Sequence, residues 1–301
     1  MMAIVFGPVA SRRFGSSLGI DLSPAQKCCN YDCLYCELAK AKVMDQSINP
    51  PSISEVMSEL KAAIARFGAT DVITLTANGE PTLYPHLSEL ITQINAIKSS
   101  QKSLILSNGS AVFYPERLNA LNELDIVKFS LDSANQSTFR RIDRGLKNYN
   151  VDEMIDKMAQ FSRQFKGELV LEVLVVAGLN DNEAEFSALN RAFDKIKPAR
   201  VDISSIDRPP AHDVRGVSFE RLGELLELIT TAPALIAHIT PLNAPKELNQ
   251  SELLKLLKMR PQSQYDIANN LSQSTKNILA DLIKHGKIHS QKLAGVVFYR
   301  A

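Results

Sequence analysis

Residues 28–36 read Cys28-Cys29-Asn30-Tyr31-Asp32-Cys33-Leu34-Tyr35-Cys36, and the reading of this stretch decides that of the whole chain. Cys29, Cys33 and Cys36 stand at a C-x3-C-x2-C spacing, and Cys28 is the one other cysteine among 301 residues. Three thiolates so close together can ligate three irons of a [4Fe–4S] cube, which is normally held by four. The fourth iron then keeps an open position at which a small molecule can bind and react. A structural zinc site wants four ligands, usually in two separated pairs, and the adjacency of Cys28 to Cys29 makes shared tetrahedral geometry awkward. A disulfide framework suits short secreted chains rather than a long one poor in cysteine. Cys28 is therefore read as a bystander.

Upstream, Ser17-Leu18-Gly19-Ile20-Asp21-Leu22 alternates as a first strand feeding the cysteine loop. Arg12 and Arg13 precede it in SRRFGSS, as either a solvated loop or an anion contact. Downstream, a polar connection ends at Pro50-Pro51, after which Ser52 or Ser54 can cap an amphipathic helix running to about Arg66. Strands are then expected at 71–76, 103–107, 126–131, 168–176 and 200–205, alternating with helices at 87–98, 115–124, 151–165 and 182–195. Six βα units imply an α/β fold with a parallel sheet, whose chemistry gathers at the carboxyl ends of the strands. The unusual turns fall at those ends: Asn78-Gly79-Glu80-Pro81, Ser107-Asn108-Gly109, Ser130-Leu131-Asp132, and Val176 followed by Gly178-Leu179-Asn180-Asp181. Any one of them reads as an ordinary turn with an Asx cap, and their weight lies in their order and common edge. Arg140, Arg141 and Arg144 form a basic cluster expected to meet phosphate or carboxylate, with a solvated helix face as the alternative. Arg208 is read in the same way. Glu172 and Asp202 lie inside strands, where they bind substrate or form a buried ion pair.

The cysteine spacing, with Tyr35 before the last cysteine, resembles the radical SAM superfamily, in which S-adenosylmethionine chelates the open iron through its amine and carboxylate. That resemblance implies a partial (β/α)6 barrel of the radical SAM type, a [4Fe–4S] cluster on Cys29, Cys33 and Cys36, and reductive cleavage of S-adenosylmethionine to a 5′-deoxyadenosyl radical. Asn78-Gly79-Glu80 is similar to the family's GGE motif, which binds the methionine amine, with Asn78 in place of the first glycine. By the same resemblance Ser107 and Asn108 form the polar end of the third strand. Ser130 and Asp132 bond cofactor ribose or carboxylate, and Val176 and Gly178 pack the adenine. SRRFGSSLGIDLSP, CCNYDCLYC and NGEPTLYP together look most like the branch with the wyosine-type tRNA base-modifying synthases, over roughly residues 7–210. Those synthases hold a second cluster on further cysteines. Only Cys28 remains here, so no second cluster is implied.

The hydrophobic and charged fractions are those of a soluble globular protein, with no apolar run long enough to span a membrane. The opening MMAIVFGPVA has no basic n-region, and an oxygen-sensitive cluster suits a reducing cytoplasm. The net charge of +1 hides an asymmetry, because from residue 249 onward eight Lys/Arg face three Asp/Glu, or +5, leaving −4 for the remainder. After Pro241 and Pro245 the pattern is a helix over 251–259, a short helix capped by Ser263, a helix over 275–285, and a hairpin of 287–290 with 295–299. That order predicts a winged-helix-like domain over 249–301 beside a barrel over 1–240. Its second helix is expected to bury Ile278, Leu279, Leu282 and Ile283 and to present Lys276 and Asn277 to a nucleic acid. The expected partners are S-adenosylmethionine, an electron donor such as flavodoxin or ferredoxin, and tRNA or another nucleic acid on the basic tail. The rival readings are a protein-directed radical enzyme and an iron–sulfur nucleic-acid-binding regulator.

Overall fold

The structure, a computed structural model, describes residues 4–11, 13–68, 70–236, 245–293 and 296–301; Arg12, Pro241 and Gly295 lie outside the described residues. Eight strands form one sheet in sequential order: β1 (Val5–Ser11), β2 (Gly15–Asp21), β3 (Val72–Thr76), β4 (Lys102–Ser107), β5 (Ile126–Ser130), β6 (Glu168–Val175), β7 (Arg200–Ser205) and β8 (Ala234–Ile236). From β2 to β8 every pairing is parallel, and the helices of the crossovers cover the outer face. These helices are α1 (Ile53–Phe67), α2 (Leu87–Ile97), α3 (Pro115–Ala120), α4 (Gln136–Ile142), α5 (Val151–Gln164), α6 (Glu183–Ile196) and α7 (Phe219–Glu227). The result is the partial-barrel α/β fold that the sequence implies, with β2–β7 as the six expected strands. Two strands escape the sequence reading. β1 carries Gly7 and Pro8 and lacks alternation, yet it folds back antiparallel on β2, while β8 is only three residues long. α1 begins with a reciprocal cap: Ser52 Oγ accepts from Glu55 N, and Glu55 Oε2 accepts from Ser52 N at 2.8 Å.

Alternate residues of each strand face opposite sides of the sheet. Ile73, Leu75, Ile105, Val127, Phe129 and Leu171 are buried beneath the helices. The barrel interior is layered along the strands. Val72, Leu104, Ile126 and Val170 close its floor against Phe14. One step toward the carboxyl ends lies an ionic layer, in which Glu172 Oε1 takes Arg13 Nη2 at 2.7 Å and Lys128 Nζ at 2.8 Å. Asp202 Oδ2 lies 3.1 Å from Arg13 Nε, and Asp202 Oδ1 accepts from Arg200 Nε at 2.9 Å. Of the two sequence alternatives for Glu172 and Asp202, the structure has the ion pairs. Burial lowers the Lys128 pKa, with Glu172 opposing.

Beyond the barrel come α8 (Gln250–Met259), β9 (Gln262–Ser263), α9 (Gln264–Asn270), α10 (Gln273–Lys284) and a hairpin of β10 (His289–Leu293) with β11 (Val296–Arg300), the three strands ordered β10-β11-β9. Leu253, Leu256, Leu257, Ile267, Leu279 and Leu282 form a separate apolar cluster here. It packs against the barrel through Phe6 and Val9 of β1 and Phe67 at the end of α1, so β1 is the strand on which the C-terminal unit sits. One expectation for α10 needs correcting. Leu279 and Leu282 are buried, but Ile278 is half-buried and Ile283 is exposed, because the four apolar positions span a wider arc than the side in contact. Lys276 Nζ turns back to donate to Ala268 O at 2.8 Å. Among the described residues, no helix is long and apolar enough to cross a membrane.

Candidate functional site

The cysteine loop is held as if it were one more short strand. Cys28 N donates to Asn78 O at 2.9 Å and Glu80 N donates to Cys28 O at 2.8 Å, forming a parallel bridge between Cys28 and Gly79. Gly79 has φ +132°, and a Cβ there would sit 1.8 Å from Cys28 O, so no other residue fits without moving the loop. Asp21, at the end of β2, accepts from Asn78 N at 2.7 Å and Ser23 N at 3.1 Å. Its other oxygen meets Lys255 Nζ of α8 at 2.6 Å. On the far side, Leu34 N donates to Ile142 O at 2.8 Å and Ala211 N to Cys36 O at 2.8 Å. Three inter-strand connections thus clamp one nine-residue loop. The Cys28 thiol accepts from Ile48 N at 3.4 Å, which turns it into the polar connection that follows the loop.

The other three thiols have distinct surroundings. Lys27 Nζ lies 3.2 Å from Cys36 Sγ, Cys33 Sγ lies 3.6 Å from Asp143 Oδ1, and Asn108 Nδ2 lies 3.9 Å from Cys29 Sγ. Burial pushes the Cys29 thiol up to about 12, with the Glu80 charge adding to it. The Cys33 thiol is pushed well above its ordinary value by burial and then by Asp143. A bare thiolate is therefore disfavoured at both positions, and the positive charge of bound iron is what offsets such a penalty. Half-buried, lining one cavity from one loop and short of a fourth ligand, the three sulfurs suit an iron–sulfur cube with one open iron.

The carboxylates nearby are each fixed by local hydrogen bonds. Asp132 Oδ2 accepts from Tyr35 OH at 2.5 Å and Asp132 Oδ1 from Leu174 N at 2.7 Å. Burial raises Asp132 to about 6, and burial with the neighbouring Asp132 raises Asp143 well above the carboxylate range. Glu80 accepts from Thr82 N at 3.0 Å, Thr82 Oγ1 at 2.7 Å and Asn108 N at 2.8 Å; burial nonetheless raises its pKa.

A cavity of about 430 Å³ opens inside the barrel mouth and reaches all three cysteines. Of the residues singled out from sequence, Tyr35, Gly79, Glu80, Ser107, Asn108 and Ser130 line it. Four others are placed elsewhere. Asn78 bonds through its backbone to Asp21 and Cys28. Asp132 is buried behind Tyr35. Val176 is wholly buried, its N–H donating to Asn180 Oδ1 at 2.7 Å, and Gly178 lies in an exposed turn. Glu172 and Leu174 are the residues of β6 that line the cavity, while Val176, of the same parity, lies past the strand end at Val175, where its N–H is turned to Asn180. Leu106 joins Leu174 as an apolar wall. Arg140, Arg141 and Arg144 are exposed outside the cavity, with Arg144 Nη2 3.1 Å from Asp32 Oδ2. Arg208 does face it, together with Met259 and Arg260 from the end of α8, for which there is no local sequence signal.

A family model described as the radical SAM superfamily matches residues 24–189. A Helicobacter pylori protein named "UPF0026 protein" is 38% identical over 303 residues, covering 100% of this chain and 98% of that one. Among solved structures, a radical SAM methyltransferase from Sphaerobacter thermophilus superposes with a TM-score of 0.58 at 17% identity, over 73% of this chain and 66% of the other. A structure of TYW1 with a lysine-pyruvate adduct gives 0.52 at 16% identity, over 71% and 72%.

Proposed function

The chain belongs to the radical SAM superfamily, whose enzymes use a [4Fe–4S] cluster and S-adenosylmethionine, and on that premise we propose that it modifies a base in RNA, with tRNA as the first substrate to test. Cys29, Cys33 and Cys36 are assigned to three irons. So held, the cluster would leave one iron for S-adenosylmethionine, and the chemistry the pair would supply is reductive cleavage of that cofactor. Tyr35, Gly79, Glu80, Ser107, Asn108 and Ser130 are assigned to the cofactor wall, with Leu106 and Leu174 as the apolar surface for the adenine. Asn78 and Asp132 hold that wall in place from behind. Val176 and Gly178, given cofactor roles by resemblance, sit behind and beyond the turn that follows β6. A reactive carbon centre formed in this cavity needs water excluded and the substrate held in contact.

The RNA reading rests on the position of the basic C-terminal unit. Residues 249–301, read as a winged-helix-like domain on a barrel of 1–240, carry the positive excess, and Met259 and Arg260 stand in the wall of the cavity that contains the cysteines. A unit that only stabilised the barrel would not need to reach the reaction chamber. The motif resemblance to wyosine-type synthases points in the same direction. A flavodoxin or ferredoxin would supply the electron.

The test is anaerobic. The cluster is reconstituted, reduced with dithionite and mixed with S-adenosylmethionine, and 5′-deoxyadenosine is measured beside a Cys33→Ala control. Production by the native chain alone, stimulated by total tRNA, is the expected result. Cleavage that tRNA never stimulates would remove the RNA substrate, and no cleavage by an intact reduced cluster would remove the assigned chemistry.

A further inference from the structure

The charges around the cavity are not matched evenly. Glu172 is engaged by Arg13 and Lys128, Glu80 has three donors, and Lys27 lies against Cys36. The mouth differs, because two guanidinium groups from different parts of the chain meet there. Arg208 follows β7 and is 9% exposed; its Nε donates to Pro261 O at 2.9 Å. Its carboxylate contacts are long, Nη1 to Asp207 Oδ1 at 3.4 Å and Nε to Glu37 Oε2 at 3.6 Å. An arginine has five N–H donors, and contacts of that length leave most of them without a short bond. Arg260, the residue before Pro261, makes no ion pair within 4 Å among the described residues, although Glu37 and Asp266 are in its field. Burial and then the like charge of Arg208 pull its pKa down to about 10.

Two guanidiniums held together in a low-dielectric pocket repel; Glu37 offsets part of that repulsion only at long range, and an anion bridging the two forks would offset the rest. The Arg208–Pro261 hydrogen bond fixes their approach before any ligand arrives. We infer that Arg208 and Arg260 form an oxyanion subsite at the mouth of the reaction cavity, completed by the C-terminal unit, which takes a phosphate group of the substrate. The planar forks of two arginines suit the tetrahedral oxygens of a phosphate and reach it from two sides. The inference deepens the proposed function, since it assumes that this cavity is the reaction chamber, and it restricts the substrate to one that carries phosphate near the reacting carbon. The same donors would also accept a carboxylate, so the cofactor's own carboxylate is the competing occupant.

The probe is inorganic phosphate, titrated calorimetrically into the full-length, anaerobically reconstituted protein, with S-adenosylmethionine titrated in parallel. Arg260→Gln should weaken phosphate roughly tenfold or more, the loss expected for a charge-assisted contact. Its affinity for S-adenosylmethionine should shift by less than about twofold, within the range of an indirect effect. Arg260→Lys keeps the charge but loses the fork, and should weaken phosphate by a smaller factor while leaving the melting temperature in place, which separates binding from folding. Phosphate binding that is absent in the native chain or indifferent to Arg260 would overturn the inference. So would an equal loss for S-adenosylmethionine, which would give the pair to the cofactor. A chain that binds phosphate through Arg260 yet never cleaves S-adenosylmethionine would keep the subsite and lose the reaction assigned above, so the two failures are separable.

Discussion

Lys255→Met tests how the C-terminal unit is coupled to the cofactor loop. Lys255 Nζ lies 2.6 Å from Asp21 Oδ2, with the two side chains only 6% and 1% exposed. The other Asp21 oxygen holds Asn78 N at 2.7 Å, one residue before the glycine on which the cysteine loop rests. Removing the ammonium leaves a buried carboxylate without its counter-charge, and breaking a buried pair in this way costs about 3–5 kcal/mol. The methionine keeps most of the apolar volume, so the loss is electrostatic rather than a cavity effect. The loss should fall to about 1 kcal/mol in the double variant Asp21→Asn, Lys255→Met, where a neutral amide still accepts from Asn78 N and no charge is stranded. The assay is urea denaturation of the anaerobic protein for native, single and double variants, with proteolysis around Pro245 reporting release of the C-terminal unit. A Lys255→Met loss below about 1 kcal/mol, the range of an exposed pair, would refute the reasoning. A double variant as unstable as the single one would do the same.

Gly79→Ala places a methyl group 1.8 Å from Cys28 O at a φ of +132°, so the loop must move and iron and sulfide content after reconstitution should fall sharply; native loading would show that the loop tolerates displacement. Tyr35→Phe removes the 2.5 Å donor to the buried Asp132 and should cost about 1–3 kcal/mol in denaturation, and no loss at all would mean that Asp132 does not rely on it. Asp125 is lowered although burial raises it, because Lys98 and the Ser103 backbone and hydroxyl outweigh that effect. A depressed carboxyl stabilises above its unfolded value and loses that contribution as pH falls through the folded one. The Asp125→Asn deficit, about 1 kcal/mol at pH 7 for a partly exposed group, should therefore shrink below about pH 4. A deficit unchanged down to pH 2 would show that the charge is not its source.

Much of the site was legible because its signals are local. The cysteine spacing, the Gly79-Glu80 turn and the Ser52–Glu55 cap each lie within a few residues, and the alternation of apolar runs was enough to place β2–β7. The strand-end positions were identified as a group, but which of them face the cavity was not. Leu174 rather than Val176 lines the cavity, and Asp132 serves Tyr35 instead of facing it, because β6 ends at Val175 and the depth of a strand-end side chain depends on where the strand stops against its neighbours.

From the amino-acid order alone came the parallel barrel, three thiols suited to a cluster, and a separate basic tail. Only the tertiary structure revealed that β1, with its proline and glycine, forms the bearing for that tail. The same is true of Lys255 reaching Asp21 across 234 residues, and of Arg260 meeting Arg208 in the wall of the chamber. The reason is physical. Propensity, capping and periodicity act between neighbours in the chain, whereas a buried ion pair or a shared cavity wall draws its energy from desolvation and charge at sites that only packing brings together.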